Sequence, residues 1–230
     1  MTQRPSPPEL EDHWTSVDGF LEATLLRPDP DLDATLRHTR EAGMPEIQVT
    51  PLQAAALALL ARAAGAGRVL EIGTLGGYST TWLARAVGTG GRVVSLEIDP
   101  EHARVARANL DRAGVGDWVE IRVGAADASL RALRSESVPS FDFAFIDADK
   151  PGSVGYLRAV LELIRVGGLI VVDNVVRRGD IVDPANRDPN VQGTLDLLRW
   201  AGSERRLRCS VLQMVGRKGH DGFFLAVRER

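Results

Sequence analysis

The chain has 230 residues, 44% hydrophobic and 26% charged, which is enough to bury the core of one sizeable domain. A formal net charge of −3 excludes the basic footprint of a general nucleic-acid binder. Its single cysteine, Cys209, excludes an internal disulfide framework and a cysteine metal cluster; it lies in the apolar run 207–215 and reads as a core thiol.

Residues 1–8 are polar and proline-rich and read as a flexible tail. From residue 10 to 26, apolar residues recur at Leu10, Trp14, Val17, Leu21 and Leu25, close to a helical period. Pro28 and Pro30 interrupt it, and residues 31–42 read as a second helix stopped by Gly43 and Pro45. These helices cap the site, build a dimer contact or simply pack; the pattern does not separate the three. Thr50-Pro51 reads as an N-cap followed by a first-turn proline. The helix it opens presents Leu52, Ala55, Ala56, Leu59, Leu60 and Ala63 on one face. No signal-peptide pattern or bilayer-length apolar run stands out, so a cytoplasmic protein without a membrane partner is expected.

Val69, Leu70 and Ile72 form a buried-type strand that runs into Gly73, Gly76 and Gly77 and then into a helix. Glycine allows close backbone approach to a ligand, and a helix start aims free N–H groups at it. The spacing G-x-x-G-G differs from the dinucleotide fingerprint G-x-G-x-x-G. A second strand, Val93 to Leu96, ends in Glu97, the position where doubly wound folds grip a ribose hydroxyl. Glu71 adds another acid beside the turn. Two acids around a glycine loop suit a positively charged nucleoside better than a pyrophosphate, which points to S-adenosylmethionine.

Residues 99–113 read as a helix, 118–123 as a third strand, and Gly124-Ala125-Ala126 as a small-residue turn with room for a flat ring. Residues 141–146 and 169–172 are a fourth and a fifth strand, ending in Asp147 and in Asp173-Asn174. The alternation of strands and helices predicts a mainly parallel α/β sheet with its ligand at the carboxyl ends of the strands. If these two strands are parallel neighbours, Asp147, Asp173 and Asn174 converge as a hard-cation site suited to Mg²⁺. The same residues also suit strand-end turns and N-caps, and the spacing leaves both open. Lys150 reads either as a surface lysine or as a base held among carboxylates.

The segments LEIGTLGGYST, VVSLEIDPEH, DFAFIDADK and GGLIVVDNVV together resemble the cation-dependent class I O-methyltransferases, the caffeoyl-CoA and catechol O-methyltransferase-like family. The resemblance runs from about residue 50 to residue 223. It implies a Rossmann-like, seven-stranded, mostly parallel sheet with helices on both faces, the last strand reversed over residues 222–228. One domain over residues 9–230 follows, with residues 9–45 as a helical cap. Carried over by position, Val49, Glu71, Gly73, Thr74, Ser79, Glu97, Ala126, Asp147 and Asp149 line an S-adenosylmethionine site. Asp147, Asp173 and Asn174 match divalent-cation ligands, with Mg²⁺ first and Ca²⁺ or Mn²⁺ as alternatives. Lys150 matches the lysine proposed to deprotonate the acceptor, with Asp147 beside it in the catalytic set. The family also implies a small aromatic acceptor with vicinal hydroxyls and a homodimer, with no nucleic-acid partner.

Two positions depart from the family. Ala125 replaces an acid after the third strand, and Arg178 stands where plant members carry an asparagine that contacts substrate. The resemblance implies that acceptor identity is set in the loop 177–192, which carries Arg177, Arg178 and Arg187; these arginines read either as solvated or as contacts for an anionic group. Methylation of another aromatic product without a metal, a non-catalytic S-adenosylmethionine-binding protein and a dinucleotide oxidoreductase stand as alternatives. The retained Asp147, Lys150, Asp173 and Asn174 weigh against the second, and the G-x-x-G-G spacing against the third.

Overall fold

The structure is a computed structural model that describes residues 7–230. Most of the expected tail, residues 1–6, lies outside the described residues, while Pro7 and Pro8 already belong to helix α1 (Pro7–Leu25). Helix α2 (Pro30–Glu41) follows, its N-cap Asp29 accepting from the Asp31 and Leu32 N–H groups. Helix α3 (Pro51–Ala63) opens on a complete capping box: Gln53 N donates to Thr50 Oγ1 at 3.3 Å and Thr50 N to Gln53 Oε1 at 2.9 Å.

Five strands run parallel: β1 (Arg68–Ile72), β2 (Arg92–Glu97), β3 (Val119–Val123), β4 (Phe141–Ile146) and β5 (Ile164–Val172). A hairpin, β6 (Leu207–Gly216) and β7 (Gly219–Arg228), completes the sheet, with β7 antiparallel to both β5 and β6. The order is β3-β2-β1-β4-β5-β7-β6, so the last strand is reversed and lies one place in from the edge, as the resemblance implies. The chain leaves β1 in one direction for β2 and β3 and returns to its other side with β4. That reversal opens a crevice at the carboxyl ends of β1 and β4, where open α/β sheets bind ligands.

Strand alternation sends side chains to two cores. Val69, Phe143 and Phe145 meet α3, α4 (Tyr78–Val87) and α5 (Pro100–Arg112) through Leu57, Leu83 and Leu110. Leu70, Ile146 and Val172 meet α6 (Ala126–Ser135), α7 (Ser153–Leu163) and α8 (Pro189–Ser203) through Leu130, Leu157 and Leu197. Each fully buried Leu or Phe contributes about 1.5–3 kcal/mol relative to an exposed one, so the sheet forms a stiff platform for the site.

Three expectations are corrected. Helix α3 buries Ala54, Leu57, Ala58 and Ala61 rather than the face expected for it, on which Leu59 is 66% exposed. The fifth strand begins at Ile164 rather than Leu169, because Gly167, at φ +79°, and Gly168 form an irregularity inside it instead of a turn before it. Cys209 is exposed, not a core thiol. It sits on the edge strand β6, which pairs only with β7 and leaves Val211, Leu212 and Val215 exposed as well.

Candidate active site

Three neighbouring strands each extend their ladder one residue past the last paired position. Gly73 N donates to Leu96 O at 3.0 Å, Asp147 N to Ile72 O at 2.8 Å and Asp173 N to Ile146 O at 3.0 Å. Ile146 pairs with Val172, so Asp147 and Asp173 emerge side by side at the ends of β4 and β5.

The glycine turn is built as much for the protein as for a ligand. Gly73 sits at φ +101°, and a Cβ there would lie 2.0 Å from the Asp147 carbonyl oxygen. A Cβ on Gly76 would lie 2.0 Å from Thr39 Oγ1 of α2. Helix α2 therefore presses directly on the turn. Only a residue without a side chain permits that approach.

The two acids of the turn do different things. Glu71 points into the α4 face, fully buried, and accepts from Ser79 Oγ at 2.6 Å, Thr80 Oγ1 at 2.5 Å and Ser95 Oγ at 2.7 Å. Burial pushes its carboxyl up to about 7 despite those hydroxyls. Glu97 instead faces the crevice and clamps the turn, its Oε2 accepting from Thr74 N at 3.1 Å and Leu75 N at 2.8 Å. Thr74 is buried, with its Oγ1 2.6 Å from Ser95 Oγ.

A cavity of about 680 Å³ opens at these strand ends. Its walls include Val49, Gly73, Thr74, Ser79, Glu97, Ala126, Asp147, Asp149, Lys150 and Asn174. Of the residues singled out from the sequence, Glu71 stays behind the wall, and Asp173 opens into a second cavity of about 630 Å³ that shares Ile47, Val49, Asn174 and Arg177 with the first. Asp149 is held by Gly152 N at 2.9 Å and by the Tyr156 hydroxyl at 2.5 Å; burial and that carboxylate raise the Tyr156 phenol above its usual range.

Lys150 is buried, with its Nζ 3.3 Å from Asp147 Oδ1. Asp173 is 3% exposed; burial, and then the Asp147 charge, raise its carboxyl well above the usual range. Asn174 adopts a left-handed conformation at φ +57°, which asparagine tolerates better than most residues, and its N–H donates to Asp173 Oδ1 at 2.7 Å. Two carboxylates and an amide are hard-oxygen donors of the kind a divalent cation takes, so these residue types fit one. Among the described residues, no group of three His, Cys, Asp or Glu side chains is gathered.

Residues 28–229 match the family described as O-methyltransferase. The chain belongs to the O-methyltransferase family. It is similar to a protein named catechol O-methyltransferase from Mycobacterium tuberculosis, 47% identical over 227 residues, 99% of this chain and 98% of that one. A catechol O-methyltransferase from Niastella koreensis is 45% identical, over 93% of this chain and 97% of its own length. Among solved structures, an O-methyltransferase from Bacillus cereus in complex with SAH superposes with a TM-score of 0.93 at 44% identity, covering 95% of this chain and 99% of that one.

Several residues around this crevice carry no local signal in the sequence. Tyr156 reaches Asp149 from the first turn of α7, and Asn109 of α5 donates to the Gly76 carbonyl at 2.8 Å. Lys218, at the tip of the β6–β7 hairpin, lines the second cavity. The strand and turn motifs locate the crevice, whereas these contacts exist only once helices and hairpin have folded onto it.

Proposed function

We propose that the chain transfers a methyl group from S-adenosylmethionine to one hydroxyl of a catechol-like, vicinal-diol aromatic acceptor. The observation that carries this is the pairing of Asp147 and Asp173 at adjacent strand ends, beside buried Lys150, where the two cavities meet. The names of the two relatives support the acceptor class, and the SAH complex of the Bacillus cereus relative supports the cofactor.

In this reading, Glu97 receives the ribose, Ala126 lies along the adenine, and Asp149 holds the methionine end. Val49, Gly73 and Thr74 complete that wall, while Glu71 acts through Ser79. Asp147, Asp173 and Asn174 hold a divalent cation, first of all Mg²⁺, with Ca²⁺ and Mn²⁺ as alternatives. When bound, the cation supplies Lewis-acid acidification of the acceptor hydroxyl. Lys150 lies where its Nζ, as the neutral amine, would take up the hydroxyl proton, and Asp147 Oδ1, 3.3 Å away, keeps that nitrogen in position. The walls hold the acceptor oxygen and the methyl carbon in line; such alignment supplies about 7–11 kcal/mol of the barrier. The reading also carries a single domain over residues 9–230, a cytoplasmic location and, as a family expectation, a homodimer.

The deciding experiment is methyl transfer to 4-methylcatechol and caffeate with Mg²⁺ and then with EDTA. Turnover should stop with chelator and return with Mg²⁺. Equal turnover in both conditions would remove the cation from the mechanism. Binding of S-adenosylmethionine with no turnover on any vicinal diol would remove the acceptor class.

A further inference from the structure

The second cavity has cationic side chains that the acids around it do not neutralise. Asp18 accepts from Arg217 N at 2.8 Å and Glu46 pairs with Arg40 at 3.0 Å. Asp221 Oδ1 accepts from the N–H groups of Val176, Arg177 and Gly222 at 2.9–3.1 Å. Those acids already have donors.

The loop arginines sort differently. Arg178 faces Glu11 at 3.6 Å, and Arg187 donates to the carbonyls of Pro184 and Asn186, both at 2.9 Å. Arg177 does neither. Asp221 pins its backbone at φ +54°, its Nε is buried without a hydrogen-bond partner, and among the described residues it forms no salt bridge. Asp188, whose charge it feels, accepts at Oδ1 from Asn190 N at 2.7 Å. From the hairpin, Lys218 donates to the Gln48 carbonyl and has no carboxylate partner among the described residues. Lys218 is exposed at the cavity rim and within electrostatic reach of Asp147 and Asp173, whose charge the divalent cation of the proposed mechanism would take up.

We infer that Arg177 and Lys218 form an anion subsite, and that the preferred acceptor is a vicinal diol bearing a carboxylate or similar anionic group away from its hydroxyls. An unpaired buried guanidinium N–H and an ammonium without a carboxylate partner both gain from an anion that brings charge-assisted hydrogen bonds. The cavity that holds Arg177 and Lys218 also holds Asp173 and Asn174, so a diol engaged there leaves the far substituent of its ring for the two cations. At about 630 Å³ the cavity is far larger than a diol ring alone requires. The inference rests on the proposed methyl transfer for its orientation, but not for its chemistry.

The test uses three diols whose insulated side chains carry a negative charge, no charge and a positive charge: 3,4-dihydroxyphenylacetate, 4-methylcatechol and dopamine. Calorimetric binding and kcat/KM are measured for the wild type, Arg177→Gln, Lys218→Gln and Lys218→Arg. The wild type should favour anion over neutral over cation, and each Gln variant should lower the anion-to-neutral ratio about tenfold, the scale of one charge-assisted hydrogen bond. Lys218→Arg keeps the charge and should keep most of the preference. A ratio unchanged in both Gln variants overturns the subsite while leaving methyl transfer intact. Selective anion binding without turnover upholds the subsite and overturns the proposed reaction instead.

Discussion

The Asn109 amide nitrogen donates to the Gly76 carbonyl at 2.8 Å and reaches Thr39 Oγ1 at 3.4 Å, joining α5, α2 and the glycine turn. Its carbonyl oxygen meets His38 Nδ1 at 2.7 Å and accepts from Arg112 at 2.5 Å. The side chain is fully buried, so every group it serves loses a partner when it is removed. Asn109→Ala should cost about 1–3 kcal/mol, the penalty of buried polar groups left unpaired. At about 2–4 °C per kcal/mol for a chain of this size, the melting temperature should fall measurably. Binding of S-adenosylmethionine should weaken several-fold, because the turn loses its brace. Calorimetry that finds both quantities unchanged would show the turn to be self-supporting.

Glu71 makes stability depend on pH in the direction opposite to most acids. Its carboxyl titrates at about 7 in the folded protein and near 4.5 in the unfolded chain. The folded state therefore keeps this proton where the unfolded state has released it. The stabilising contribution is complete below pH 4.5 and is lost as pH rises through about 7. A shift of this size is on the order of 3 kcal/mol. Glu71→Gln, which cannot ionise, should flatten that part of the profile between pH 4.5 and 7 in denaturant melts. A variant profile parallel to the wild type would place the pH dependence elsewhere.

Asp173 is expected to trade stability for chemistry. Burying a second carboxylate beside Asp147 costs free energy unless a cation is present. In EDTA, Asp173→Asn should melt above the wild type by several degrees, about 1–2 kcal/mol. In Mg²⁺ it should lose at least 100-fold in methyl transfer, roughly the scale of removing one electrostatic group from a preorganised site. A variant that melts lower in EDTA would mean that Asp173 is held by contacts rather than strained by its neighbour.

The sequence made the frame readable wherever apolar runs end in glycine or acid. Residues 141–146 match β4 at both ends, and Thr50 caps α3 as expected, because both signals are local. Glu97 and Asp147 could be placed at the crevice because a parallel strand delivers its last residue to one edge of the sheet. Glu71 was harder to read, since inward or outward depends on which face of β1 meets α4, and Ser79 and Thr80 then enclose it. Cys209 misled because an apolar run on an edge strand looks the same as one in the interior. Lys218 and Asn109 had no legible role, because their partners lie far away in the chain.

The insertion of β7 between β5 and β6 also sets the order of assembly. While the ribosome is still making residues 219–228, the strand that ends in Asp173 has one bare hydrogen-bonding edge and β6 has no neighbour in the sheet. Val171 and Val172, at the carboxyl end of that strand, pair with Leu225 and Phe224 only when β7 threads in antiparallel. Until then the nascent chain carries an open apolar template of the kind that recruits other chains. The acidic pair depends on the β4–β5 register alone, whereas closure of the other edge of β5 waits for β7.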